Sequence, residues 1–142
     1  MRSILAVALT ALSIATLACG KDSTAPQASI AGAYNLVTVN NGTLPFTFVE
    51  NATYKAEIVT WRLTFSDNRT FSSIASMRVT SAGNVSMLDS PGTGTYTLSG
   101  SALTMVDGAS GGSSRAGSLV GNTLTLVVDE IGAGTLTYVF QR

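Results

Sequence analysis

Beyond Gly32 the chain meets a turn signal about every eight to twelve residues, and the segments between are rich in Thr, Val, Leu, Tyr and Phe. In extended backbone successive side chains point to opposite sides, so apolar residues at every second position bury one face and leave the other wet. Short runs of this kind at regular spacing belong to all-β domains. No apolar period near that of a helix is sustained anywhere in this region.

The alternation can be followed strand by strand. Gly32 to Val39 opens the domain and Asn40-Asn41-Gly42 turns it. Leu44 to Val49 is expected at an edge, because Pro45 has no N–H to give to a ladder. Ala52 to Phe65 is extended but changes parity: Tyr54, Ala56 and Ile58 share one face, whereas Val59, Trp61, Leu63 and Phe65 hold odd positions. A bulge near Ile58-Val59 would re-aim the second half. Ser66-Asp67-Asn68 makes the next turn, and Thr70 to Val79 then alternates cleanly. Ser81 to Asn84 and Asp89 to Gly94 read as loops. Further on, Gly100 to Asp107 and Gly121 to Asp129 share a Gly-x-x-Leu-Thr core 21 residues apart, with turn dipeptides at Ser99-Gly100 and Gly121-Asn122. A flexible loop, Gly108 to Ser114, lies between them, and Gly134 to Gln141 forms the last strand. Eight or nine antiparallel strands result. Full closure removes exposed edges, so the expected fold is all-β: a small antiparallel up-and-down β-barrel of about eight strands.

The first residues are of another kind. Arg2 precedes an unbroken apolar and small run from Ile4 to Ala18, which ends in Leu17-Ala18-Cys19-Gly20. The run is shorter than the roughly 20 residues of a spanning helix, and it has the positive start and short apolar centre of a secretory signal. With the single cysteine directly behind it, this stretch resembles a bacterial lipoprotein signal peptide, although Thr16 stands where such signals usually carry leucine. The resemblance implies cleavage before Cys19 and lipid attachment at its thiol. Two or more acyl chains give stable anchoring, so the mature chain is expected at the bacterial cell envelope, held by lipid. No aspartate follows the cysteine to retain it at the inner membrane, which points to the outer membrane. The rival is a plain signal cut near Ala18 that leaves Cys19 free. Residues 1–18 are thus the leader, 19–29 a polar tether containing Pro26, and 30–142 the domain.

Within that domain, Gly32-Ala33-Tyr34, the hairpin Leu63 to Phe71, the stretch Gly94 to Thr104 and the closing Tyr138-Val-Phe-Gln-Arg142 look like the bacterial lipocalin-like domains of small envelope lipoproteins. Tyr34 stands where lipocalins proper carry tryptophan, and their Thr-Asp-Tyr signature is missing. The resemblance implies a barrel able to hold a small hydrophobic ligand, with Tyr34, Trp61, Phe65, Phe71, Tyr96, Tyr138 and Phe140 as candidate cavity lining. The alternative is a non-catalytic structural or interaction module of the envelope, in which those aromatics fill the core. Arg62 and Arg78 fall opposite Trp61 and Met77 and are expected in solvent.

Other classes lack their residues. There is no histidine, which removes Ser-His triads and histidine metal sites, and a lipidated Cys19 leaves no thiol nucleophile or internal disulfide. With Arg2 in the leader, seven basic side chains face eight acidic ones, and no basic stripe exists for nucleic acid. The carboxylates Asp67, Asp89, Asp107, Asp129 and Glu130 fall at expected turns, and no spacing suits calcium. Enzyme activity, a cofactor and a metal are therefore not expected, and a monomer is assumed. Four Asn-x-Ser/Thr triplets, at Asn41, Asn51, Asn68 and Asn84, read as turn residues.

Overall fold

Ten strands follow one another in the computed structural model, which describes residues 29–109 and 112–142. They are β1 (Gly32–Val39), β2 (Gly42–Thr43), β3 (Phe46–Glu50), β4 (Tyr54–Phe65), β5 (Thr70–Ser81), β6 (Asn84–Ser99), β7 (Ala102–Asp107), β8 (Ser114–Val120), β9 (Thr123–Glu130) and β10 (Gly134–Gln141). The expected leader, Cys19 and the expected tether up to residue 28 lie outside the described residues.

From β4 to β10 each strand pairs antiparallel with the next. Strand β1 closes the ring, pairing with β10 on one side and with the end of β4 on the other, Gly32 opposite Phe65 through Asn35 opposite Arg62. Eight strands therefore make an up-and-down barrel wall. The short β2 and β3 are additions: β2 folds back antiparallel beside the end of β1, and β3 pairs with the first half of β4. Pro45 sits just before β3, an edge strand, where its missing N–H breaks no ladder.

Turns form where the residues tolerate a positive φ. Asn40 and Asn41, at 49° and 63°, link β1 to β2, and Ala82 and Gly83, at 47° and 81°, link β5 to β6. Two central residues of positive φ suit the twist of a tight hairpin. Asn40 also accepts the Thr137 N–H at 2.8 Å, which ties this turn to β10. Asn51 and Asn68 fold back on the backbone N–H groups two or three residues ahead, the usual role of such side chains in turns. Three of the four Asn-x-Ser/Thr triplets thus serve turns, and Asn84 starts β6 directly after one.

The register of β4 on β5 slips between Ile58 and Thr60. This is the bulge that the parity change requires, and it lets Ala56, Ile58, Trp61, Leu63 and Phe65 all face inward despite mixed parity. Strand β1 has a second slip between Leu36 and Thr38, so that Tyr34, Leu36 and Val39 are all buried. One expected loop is strand instead: Asp89 to Gly94 lies within the 16-residue β6. Glycine is required there by close approach, since a Cβ on Gly94 would overlap the Val106 carbonyl and the Phe71 ring. Pro91 is tolerated because this part of β6 has, among the described residues, β5 on one side only.

Hairpin β5–β6 runs past the point where β7 ends, at Asp107 opposite Gly94. Together with β3 and the first half of β4 it forms an apron beyond the barrel wall. On its outer face the carboxylate of Glu57 is clasped by Arg78 at 2.8 Å and Lys55 at 2.9 Å. Arg78 is thus on the expected outer face but paired, whereas Arg62 is exposed. The Arg78 hydrogen bond, with that of Lys55, lowers the Glu57 pKa to about 2.

Candidate functional site

All seven aromatic residues singled out in the sequence point into the barrel, and they form two groups. Phe65 anchors the first. Tyr34 and Tyr96 meet it edge-on, with ring centres 5.7 and 5.1 Å away, and Phe71 lies tilted at 6.0 Å. Aromatic pairs at such distances and angles add to the burial of their area. Tyr96 donates to the Ser66 carbonyl at 2.8 Å, while the buried hydroxyl of Tyr34 has no partner among the described residues. Arg142 covers this end. Its guanidinium lies 5.6 Å from the centre of the Tyr34 ring and donates to the Ala31 carbonyl.

Trp61 holds the second group, with Tyr138 and Phe140 edge-on at 5.1 and 5.3 Å. Burial, with the Glu130 carboxylate beside it, pushes the Tyr138 hydroxyl above the usual phenol range, and that hydroxyl donates to Glu130 at 3.0 Å. Tyr138 and Phe140 are fully enclosed, but Trp61 is partly exposed and faces open space.

That space is a half-open cup of about 590 Å³ at the barrel mouth. Register explains it. Below the cup, inward positions on neighbouring strands carry Phe65 and Phe71. One step up, β5 presents Ser73 and Ala75, and β6 presents Gly92 and Ser90 opposite them. Four small residues cannot reach across the barrel, so Trp61, opposite Ala75 on β4, is left facing a void. Pro91, Thr93, Gly108 and Ala109 complete the rim.

Two charged residues that the sequence reading did not place in a site sit on the far wall. Arg115, on β8, grips Asp107, on β7, through two contacts of 3.0 and 2.9 Å, and its guanidinium lies 5.8 Å from the centre of the Trp61 ring. Asp107 and Glu130 were expected as turn carboxylates. They are instead the last residues of β7 and β9, and both engage inward partners. Asp89 also lies within a strand, where its carboxylate takes the Ser76 hydroxyl at 2.6 Å. The missed signal was parity: Leu103, Met105 and Asp107 alternate along β7, and Leu119, Gly117 and Arg115 along β8. Of the seven aromatics, Trp61 alone lines the cup, and the other six form its packed floor. Among the described residues no three His, Cys, Asp or Glu side chains gather closely enough to hold a metal ion.

A closed eight-stranded meander, packed at one end and hollow at the other, defines a class: small up-and-down barrels whose interior is either filled or holds one small ligand. Within that class the chain belongs to the lipocalin-like domain family, whose sequence model matches residues 30–131. Members of that family are generally non-enzymatic binding proteins. The match ends before β10, the strand that seals the wall between β9 and β1. None of the curated proteins searched matches the sequence.

Proposed function

We propose that this protein is a lipid-anchored envelope carrier whose barrel holds one small hydrophobic molecule in the cup beside Trp61. The observation that carries the reading is the cup itself. Its volume of about 590 Å³ falls within the roughly 300–1,000 Å³ of small-molecule pockets, which are mostly apolar with a few placed polar groups. Trp61 and Ala75 supply the apolar wall, and Asp107 and Arg115 the polar one. Anchoring rests on the leader and Cys19, with the outer membrane as the proposed location.

Two experiments test this. Mass spectrometry of solvent extracts from protein purified out of its own membrane should recover one small apolar molecule per chain, and repeated recovery of nothing counts against the carrier. Cells fed labelled palmitate should label the protein but not its Cys19→Ser variant, and an unlabelled wild type removes the anchor.

A second reading, a protein-interaction module, draws on the apron. Val85, Met87 and Leu88 are 64%, 56% and 49% exposed along β6, where that strand has, among the described residues, no neighbour beyond β5. Unpaired strand edges with apolar side chains invite another strand. Crosslinking from Met87 to a partner in the envelope would favour this reading.

A further inference from the structure

We propose that Asp107 and Arg115 make the cup selective for an uncharged amphipathic molecule, one with an apolar body and a head that both donates and accepts hydrogen bonds, such as an amide. This rests on reading the cup as a ligand site. Among the described residues, these two are the charged side chains that line it, so what they present decides which head group is tolerated.

They present a closed pair. Both carboxylate oxygens of Asp107 are engaged by the two terminal nitrogens of Arg115, at 3.0 and 2.9 Å. The guanidinium is near the Trp61 ring as well, and the partly buried pair is screened less by salt than an exposed one. An organic anion that approaches Arg115 meets the Asp107 carboxylate beside it. A cation that approaches Asp107 meets the guanidinium. Like charges placed together at an interface suppress the wrong partner, so the pair opposes both signs.

A neutral head meets no such opposition. A guanidinium has five N–H donors and a carboxylate about four acceptor positions. The two mutual contacts leave some of each unspent, and they lie side by side. A group with one N–H and one C=O can engage both without breaking the pair. Opposite it, the wall of Ser73, Ala75, Ser90 and Gly92 gives an apolar body room, because each of these side chains is small.

The test uses the full chain in phosphatidylcholine vesicles, with protein-free vesicles as the blank. Emission from Trp61, the chain's single tryptophan, is followed while three probes of matched shape are added: para-butylbenzamide, para-butylbenzoate and para-butylbenzylammonium. The amide should bind about tenfold or more tightly than either ion, a difference set by one uncompensated contact. Asp107→Asn should move the preference to the benzoate, since Arg115 is then unpaired. Arg115→Met should move it to the benzylammonium. The two variants leave opposite charges behind, so a merely structural role for the pair would not produce opposite shifts. Equal binding of all three probes to the wild type, or an unchanged order in both variants, overturns the selectivity and leaves the cup as a ligand site. No response of Trp61 to any probe overturns the ligand reading, and the selectivity with it.

Discussion

The two ends of this barrel share the same strands but differ in what their inward positions carry. At the closed end, Tyr34, Phe71 and Tyr96 pack around the Phe65 ring. A few residues along the same strands, Ser73, Ala75, Ser90 and Gly92 are too small to fill the space and line the cup instead. An eight-stranded barrel is just wide enough for side chains to fill it, so a few substitutions of large by small residues decide whether it is solid or hollow. The fold supplies the wall, and side-chain size along it supplies the cup.

The largest effect expected from this contrast is at its anchor. Phe65→Ala should lower the unfolding free energy by about 3–5 kcal/mol, read from urea denaturation, whereas Ala75→Val in the cup should change it by less than about 1 kcal/mol. Equal losses would mean that the two ends are packed alike. Next come the glycines. Gly94→Ala drives a methyl group into the Val106 carbonyl and should cost about 1–3 kcal/mol. At Gly92 the added Cβ meets the Ser73 hydroxyl, at 2.6 Å, and that side chain can rotate away, so Gly92→Ala should fall well below the Gly94 value. A ranking in the other direction would place the void elsewhere.

Hydroxyl deletions sharpen the picture of the closed end. Tyr96→Phe removes the bond to the Ser66 carbonyl and should destabilise by about 1 kcal/mol. Tyr34→Phe removes a buried hydroxyl that has no partner among the described residues and should be neutral or stabilising. The smallest and most local effect concerns pH. Glu57 ionises at about 2 in the folded chain, against an ordinary 4.5. Because the folded value is the lower one, its contribution is present above about 4.5 and fades as pH falls from there toward 2. Over that window the protection of amides against hydrogen exchange, taken relative to the intrinsic rate at each pH, should fall at Val79 and Thr80 on the apron before it falls at Tyr34, and Glu57→Gln should abolish the difference.

Much of the wall was legible in the sequence because period-two alternation and turn residues are local signals. The bounds of β1 and β10 coincide with the expected Gly32–Val39 and Gly134–Gln141, and the bulge at Ile58-Val59 could be read from parity alone. Asp89 to Gly94 misled, because Pro91 and two glycines in six residues are what a loop looks like locally. Their reasons are tertiary: a free edge beside Pro91, and the Phe71 ring and Val106 carbonyl against Gly94. The cup was less legible still. The aromatics drew attention as cavity lining, yet a cavity is made by what is small, and Ser73, Ala75, Ser90 and Gly92 carry no signal until register sets them side by side. Asp107 and Arg115 likewise become a pair through the β7–β8 ladder, in which Met105 lies opposite Arg115.

The account stands on the cup being where a small apolar molecule goes. Amide chemical shifts of the labelled chain, followed as para-butylbenzamide is added, test this residue by residue. The expected shifts gather at Trp61, Ser73, Ala75, Ser90 and Gly92 and leave Tyr34 and Phe65 unmoved. Shifts confined to Val85, Met87 and Leu88 on the apron, with none around Trp61, would contradict it.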